Sequence, residues 1–140
     1  MFHKILVGLD GSAGSMRAME VAAALAREFG AALHALSVIE PAARYAGTVG
    51  EVNEEREAAE AFMGQVQERA RQIAAEHGVR VETKTVHGHA AHTLAEQTRT
   101  GGYDLLVLGH SGHSGVWGSF LGTTADKVSR HAACSVLIVR

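Results

Sequence analysis

No apolar run in this sequence approaches the roughly 20 residues that a membrane helix needs. Stretches such as Ile5 to Leu9, Leu105 to Leu108 and Val136 to Val139 stop after four or five, so no membrane span is expected. Cysteine is nearly missing: Cys134 alone cannot form an internal disulfide, and its place before an apolar run predicts a buried structural thiol. Charge of one sign is missing too. Lys and Arg number 13 against 15 Asp and Glu, a net charge of −2, which removes any broad electrostatic reason to coat nucleic acid or an anionic membrane. A local anion site is still compatible with that balance. The opening Met1-Phe2-His3-Lys4 leads straight into an apolar run closed by Asp10, without the h-region and cleavage site of a signal peptide, so a cytoplasmic location is expected.

What is present describes an ordinary globule. Residues are 46% hydrophobic and 20% charged over a length of 140, which suits a single domain spanning 1–140. Glycine is plentiful at 16, eight of them between Gly88 and Gly122, and histidine numbers 9.

Apolar periodicity alternates between the two kinds of element. His3 to Leu9 reads as a strand closed by Asp10-Gly11-Ser12. Met16 to Phe29 has a helical period, with apolar residues at 16, 19, 22, 23, 25, 26 and 29, and Gly30 is placed to end it. Ala31 to Ile39 is the second strand, and a polar connection runs from Glu40 to about Gly50. From Glu51 to His77, Phe62, Val66, Ala70, Ile73 and His77 share one helical face, and Gly78 is the stop. Val79 to Val86 alternates as an exposed or edge strand does. Ala90 to Thr100 is a helix ended by Gly101-Gly102, Tyr103 to Leu108 is apolar enough for a central strand, and Thr123 to Ala132 and Ser135 to Val139 supply the last helix and strand. Five strands joined by helical crossovers imply a doubly wound parallel α/β sheet with helices on both faces. Ligands of such sheets sit beyond the carboxyl ends of the strands, so the informative loops follow Leu9, Val38, Val86 and Leu108.

The loop after Leu108 carries the strongest signal. Glycines let a backbone approach a ligand closely, and a helix start offers free amides to phosphate. Thr123 to Asp126 also has the spacing of a capping box, which explains Thr123 without any ligand. The ordered set Gly109-x-x-Gly112-x9-Gly122-Thr123, with a helix and the terminal strand Ser135 to Arg140 behind it, resembles the ATP-binding signature of the universal stress protein family. Ile5-Leu-Val-Gly-Leu-Asp10-Gly-Ser12 is similar to that family's first strand and turn, and Tyr103-Asp-Leu-Leu-Val-Leu108 to its fourth strand.

The resemblance implies an open five-strand sheet in the order 3-2-1-4-5, a three-layer sandwich, a homodimer through the last strand, and an adenine nucleotide held between the first and fourth strands. By position, Gly109, Gly112, Gly122 and Thr123 would hold ribose and phosphates, with Thr124 at the same helix end. Asp10 would lie beside the ribose or a phosphate-bound cation such as Mg2+. Gly8, Leu9 and Val38 would line the adenine pocket, and Leu108 would close it. The implied function is cytoplasmic binding of ATP or AMP in a regulatory or stress-response role; a same-fold dimeric interaction protein that binds no nucleotide and a weak ATPase are the alternatives. Many members of that family carry a basic residue in or after the Gly-x-x-Gly turn, where this chain has His110, Ser111 and His113. Imidazoles with an ordinary pKa of about 6.5 carry positive charge only at mildly acidic pH, which predicts tighter ATP binding at pH 6 than at pH 8.

Other motifs compete less well for the same residues. Gly8 to Gly14 lacks the G-x-G-x-x-G spacing of a dinucleotide fingerprint, and no G-x-x-x-x-G-K-[ST] occurs. His87, His89 and His92, with His110 and His113, could be metal donors only if three or four converge. Ser111, Ser114 and Ser119 lie near histidines but lack the G-x-S-x-G elbow of a hydrolase, and no general base or arginine finger is visible for phosphoryl transfer. Tyr45, Gly47 and Gly50 sit in a connection long enough to be a flap over the site. Trp117 and Phe120 read as packing or partner contacts.

Overall fold

The computed structural model describes residues 1–41, 48–110 and 123–140. Strand and helix alternate along it as β1 (Lys4–Gly8), α1 (Ala13–Phe29), β2 (Ala32–Ile39), α2 (Val49–Glu76), β3 (Val81–His87), α3 (Ala90–Thr100), β4 (Leu105–Gly109), α4 (Thr123–His131) and β5 (Ser135–Val139). All pairings are parallel and the order is β3-β2-β1-β4-β5, an α/β sheet of the expected arrangement. The chain builds outward from β1 to β3, then returns to lay β4 and β5 on the other side. The reversal therefore falls between β1 and β4, where their carboxyl ends leave a crevice.

Side chains along a strand alternate between faces, so both faces of the central strands are buried and their sequences read as continuous apolar runs. Ile5, Val7, Ala35, Leu105 and Val107 pack with Met19, Ala22 and Ala23 of α1 and Val66, Ala70 and Ile73 of α2. Leu6, Leu36, Leu106 and Leu108 pack on the other face with Leu94 of α3 and Ala125 and Val128 of α4. The outer strand β3 alternates half-buried and exposed residues over most of its length, matching its edge position.

Several boundaries and faces differ from the periodicity. α1 begins at Ala13 rather than Met16 because Ser12 caps it: its Oγ accepts from the Ser15 amide at 3.1 Å. At the other end Gly30, with φ 64°, donates to the carbonyls of Ala26 and Arg27, a left-handed terminus that glycine adopts without strain. α2 begins at Val49, so Gly50 is helical rather than part of the connection; Thr48 and Glu51 form a reciprocal capping box there. On α2 the buried face is Val66, Gln67, Ala70, Ile73 and Ala74. Phe62 is 44% exposed, and His77 caps the helix and pairs with Glu20 at 2.7 Å. Cys134 is half-buried rather than enclosed, and that burial raises its thiol pKa, with the Asp104 charge adding to it. Among the described residues no helix is long and apolar enough to cross a membrane.

At the amino end of the sheet, His34 Nδ1 lies 2.7 Å from the Tyr103 hydroxyl and Nε2 3.3 Å from the Glu82 carboxylate. Burial lowers the His34 pKa below its ordinary 6.5; the Glu82 charge opposes this and the Lys4 charge adds to it. The unfolded chain thus takes the proton more readily than the folded one, so this residue's contribution to stability is intact above about pH 6.5. It is lost as pH falls from there toward the folded pKa. Urea melts of wild type and His34→Gln between pH 7.5 and 5.5 are expected to converge at the acid end. Curves running parallel across that window would contradict the assignment.

Candidate functional site

The turn from β1 into α1 is built by short polar side chains. The Ser12 amide donates to Asp10 Oδ1 at 2.9 Å, and the Ser15 hydroxyl donates to the Ser12 carbonyl at 3.0 Å while accepting from the Asp10 amide at 3.4 Å. Gly11 has φ 86°, and a Cβ there would stand 2.5 Å from the Phe62 ring, so both backbone and space require glycine. The turn leaves Asp10 at the mouth of the crevice between β1 and β4.

That crevice holds a cavity of about 80 Å3. Its apolar wall comes from Leu9 at the end of β1, Leu36 and Val38 of β2, Ala90 and Leu94 of α3, Leu108 of β4 and Ala125 of α4; its polar side from Asp10, Ser12, Ser15 and Thr124. Gly8 and Gly109 complete the lining, and each is needed for a close approach. A Cβ on Gly8 would lie 2.8 Å from a Leu108 methyl. One on Gly109 would lie 2.5 and 2.6 Å from the Gly14 carbonyl carbon and oxygen and 2.9 Å from the Ser15 amide nitrogen, so β4 ends pressed on the first turn of α1.

Backbone polarity adds directional groups. The Leu9 amide donates to the Leu36 carbonyl and the Gly88 amide to the Ile39 carbonyl. Even-numbered residues of β2 therefore turn their polar groups toward β1, and odd-numbered ones toward β3. Since β1 ends opposite Leu36, the amide and carbonyl of Val38 are directed past its end, toward the cavity. Helices α1, α3 and α4 all bring residues of their first turns to the lining, which places the positive ends of three helix dipoles around it. At α3 the Ala90 amide already donates to the Glu40 carboxylate at 3.2 Å. Asp10 is the one carboxylate among the described lining residues, a donor set that fits Mg2+ held by one carboxylate together with ligand phosphates.

Of the residues selected from sequence, Gly8, Leu9, Asp10, Val38, Leu108, Gly109 and Thr124 line this one cavity. Thr123 begins α4, but its side chain, with Gly112 and Gly122, lies outside the described residues. So do Tyr45, Gly47, Ser111, His113, Ser114, Trp117, Ser119 and Phe120. Sequence reasoning missed Ser12, Ser15, Leu36, Ala90, Leu94 and Ala125. Ser12 alone had a signal, as a hydroxyl ahead of a helix; the others lie in stretches that read as ordinary core or helix surface. Asp126 lies 3.5 Å from Arg130; the capping box proposed for it turns on the Thr123 side chain, which lies outside the described residues. His87 pairs with Glu60 at 3.1 Å, and among the described residues no three His, Cys, Asp or Glu side chains gather into a metal-binding group.

A family model described as the universal stress protein family matches residues 1–140. The chain is 34% identical over 148 aligned residues to universal stress protein YxiE of Bacillus subtilis, covering 100% of both. Among solved structures it is similar to the universal stress protein UspA from Lactobacillus plantarum, with TM-score 0.89 and 26% identity over 99% of this chain and 97% of that one. A universal stress protein solved in complex with cAMP is similar with TM-score 0.78 and 28% identity, over the same shares. With sequence likeness running end to end and the sheet order matching, the chain belongs to the universal stress protein family.

Proposed function

We propose that this protein binds an adenine nucleotide, ATP or AMP, in the cavity between β1 and β4, and that occupancy rather than turnover is its purpose. The observation that carries the reading is the cavity itself: an apolar slot beside an outward-facing strand backbone at one end, and glycine, hydroxyl and helix amides at the other. A purine has two apolar faces and an edge of donors and acceptors. The slot between Val38 and Leu108 suits the faces, and the Val38 amide and carbonyl suit the edge. Ribose and phosphates would then run toward Gly109, Gly112, Gly122, Thr123 and Thr124, where a helix start stabilises anions by amide hydrogen bonds and dipole. Asp10 would take a ribose hydroxyl or, with a triphosphate, Mg2+. The relative solved with cAMP shares the adenosine portion of these ligands, which is the part the described residues would recognise.

Isothermal titration with ATP, ADP, AMP and cAMP, with and without Mg2+, tests this directly. At least one is expected to bind saturably at one site per chain. Absence of heat from all four at millimolar concentration would remove the reading in favour of an interaction protein with a disused pocket. The same proposal includes a homodimer through β5, an edge strand whose Leu137 is 37% exposed, readable by light scattering, and a cytoplasmic location, where adenine nucleotides are abundant.

A further inference from the structure

Resting on the nucleotide reading above, we propose that Ser15 is a positioning residue of the site, acting on the ligand through Asp10. Ser15 is only 5% exposed although it lines the cavity, and both bonding roles of its hydroxyl are turned inward. It donates to the Ser12 carbonyl at 3.0 Å and accepts from the Asp10 amide at 3.4 Å. A hydroxyl has one proton to give, and this one is committed to the main chain rather than to a ligand. The two bonds close the turn from both ends, fixing where Asp10 leaves β1 and where Ser12 enters α1. Asp10 is then held a second time, its Oδ1 accepting from the Ser12 amide at 2.9 Å. Removing the Ser15 hydroxyl leaves the helix cap in place, because the cap uses the Ser15 amide and the Ser12 Oγ. What is lost is the clamp that sets the carboxylate of Asp10 relative to the cavity.

A clamp acting through Asp10 has a signature that a purely structural residue lacks: its effect vanishes when Asp10 is already disabled. ATP affinity measured by titration in the presence of Mg2+ is therefore compared for wild type, Asp10→Asn, Ser15→Ala and the double variant. The expected losses are about tenfold for Asp10→Asn, about fivefold for Ser15→Ala, and still about tenfold for both together. A product near 50-fold, or a Ser15→Ala protein that binds ATP as wild type does, overturns the assignment. Thermal melts run alongside; if Ser15→Ala unfolds too early to titrate, Ser15→Cys, close in size and weaker in hydrogen bonding, completes the same cycle. Wild-type protein that binds no adenine nucleotide overturns the reading of the site, and the proposal with it, and the wild-type titration alone tells this apart from failure of the Ser15 assignment.

Discussion

Alanine at position 109 is expected to cost about 3 kcal/mol of stability and to abolish nucleotide binding. The added methyl carbon would lie 2.5 Å from the Gly14 carbonyl carbon, 2.6 Å from its oxygen and 2.9 Å from the Ser15 amide nitrogen. All three are main-chain atoms in the first turn of a capped helix, so no side-chain rotation relieves the overlap. Either α1 moves away from β4 or the end of β4 moves away from α1, and each movement opens the core that Met19, Val107 and Leu105 fill. Overpacking of a close-packed interior typically costs 1–3 kcal/mol, and a main-chain contact on both sides puts this case at the upper end. For a chain of this length about 3 kcal/mol corresponds to a fall in Tm on the order of 10 °C. Binding is lost by the same displacement, because Gly109, Ser12 and Ser15 all line the cavity. A Gly109→Ala protein that melts within about 2 °C of wild type would show that the two elements are not pressed together as described.

The contact between Gly109 and Gly14 also marks where reading the sequence succeeds and where it runs out. Gly109 stands out beside an apolar run, and Gly30 stands out at the end of a helical period, because both are local signals. The partner of Gly109 is 95 residues earlier in the chain, and nothing in the Ala13-Gly14-Ser15 segment announces it. The periodicity even placed the start of α1 at Met16, since three small residues carry no apolar pattern; only the hydroxyl of Ser12, three residues ahead of the Ser15 amide it accepts from, could have moved it back. Strand identity followed the same rule. The uninterrupted apolar character of Leu105 to Leu108 and the alternation in β3 correctly separate a central strand from an edge one. The order of the strands depends on pairings such as Ile5 with Leu105, which no window of sequence contains, and it came from the family resemblance. Leu36, Leu94 and Ala125 were invisible for a related reason: each obeys the period of its own element, and what makes it part of the cavity is the neighbour across the layer.

Gly8 gives the complementary test, because there the crowding atom can move. A methyl group at position 8 would lie 2.8 Å from Leu108 Cδ2 and 3.4 Å from both Leu94 methyls, all ends of side chains. Leu108 can yield by leaving its preferred rotamer, at a cost of order 0.5–1.5 kcal/mol, while alanine recovers about 0.4–1 kcal/mol by narrowing the unfolded ensemble in a strand that needs no positive φ. The two nearly cancel, so the melting temperature of Gly8→Ala should stay within a few degrees of wild type. Affinity should not. Leu108 and Leu94 both line the cavity, and the space into which Leu108 yields is the slot assigned to the base. An overlap of one methyl with a bound purine, at 1–3 kcal/mol, weakens ATP and adenosine alike by about tenfold or more. Equal loss for both ligands is the telling feature, because it assigns the effect to the base and not to the phosphates. If Gly8→Ala instead weakened ATP while sparing adenosine, the base would have to lie elsewhere, and the phosphate end of the ligand would be the part that passes β1.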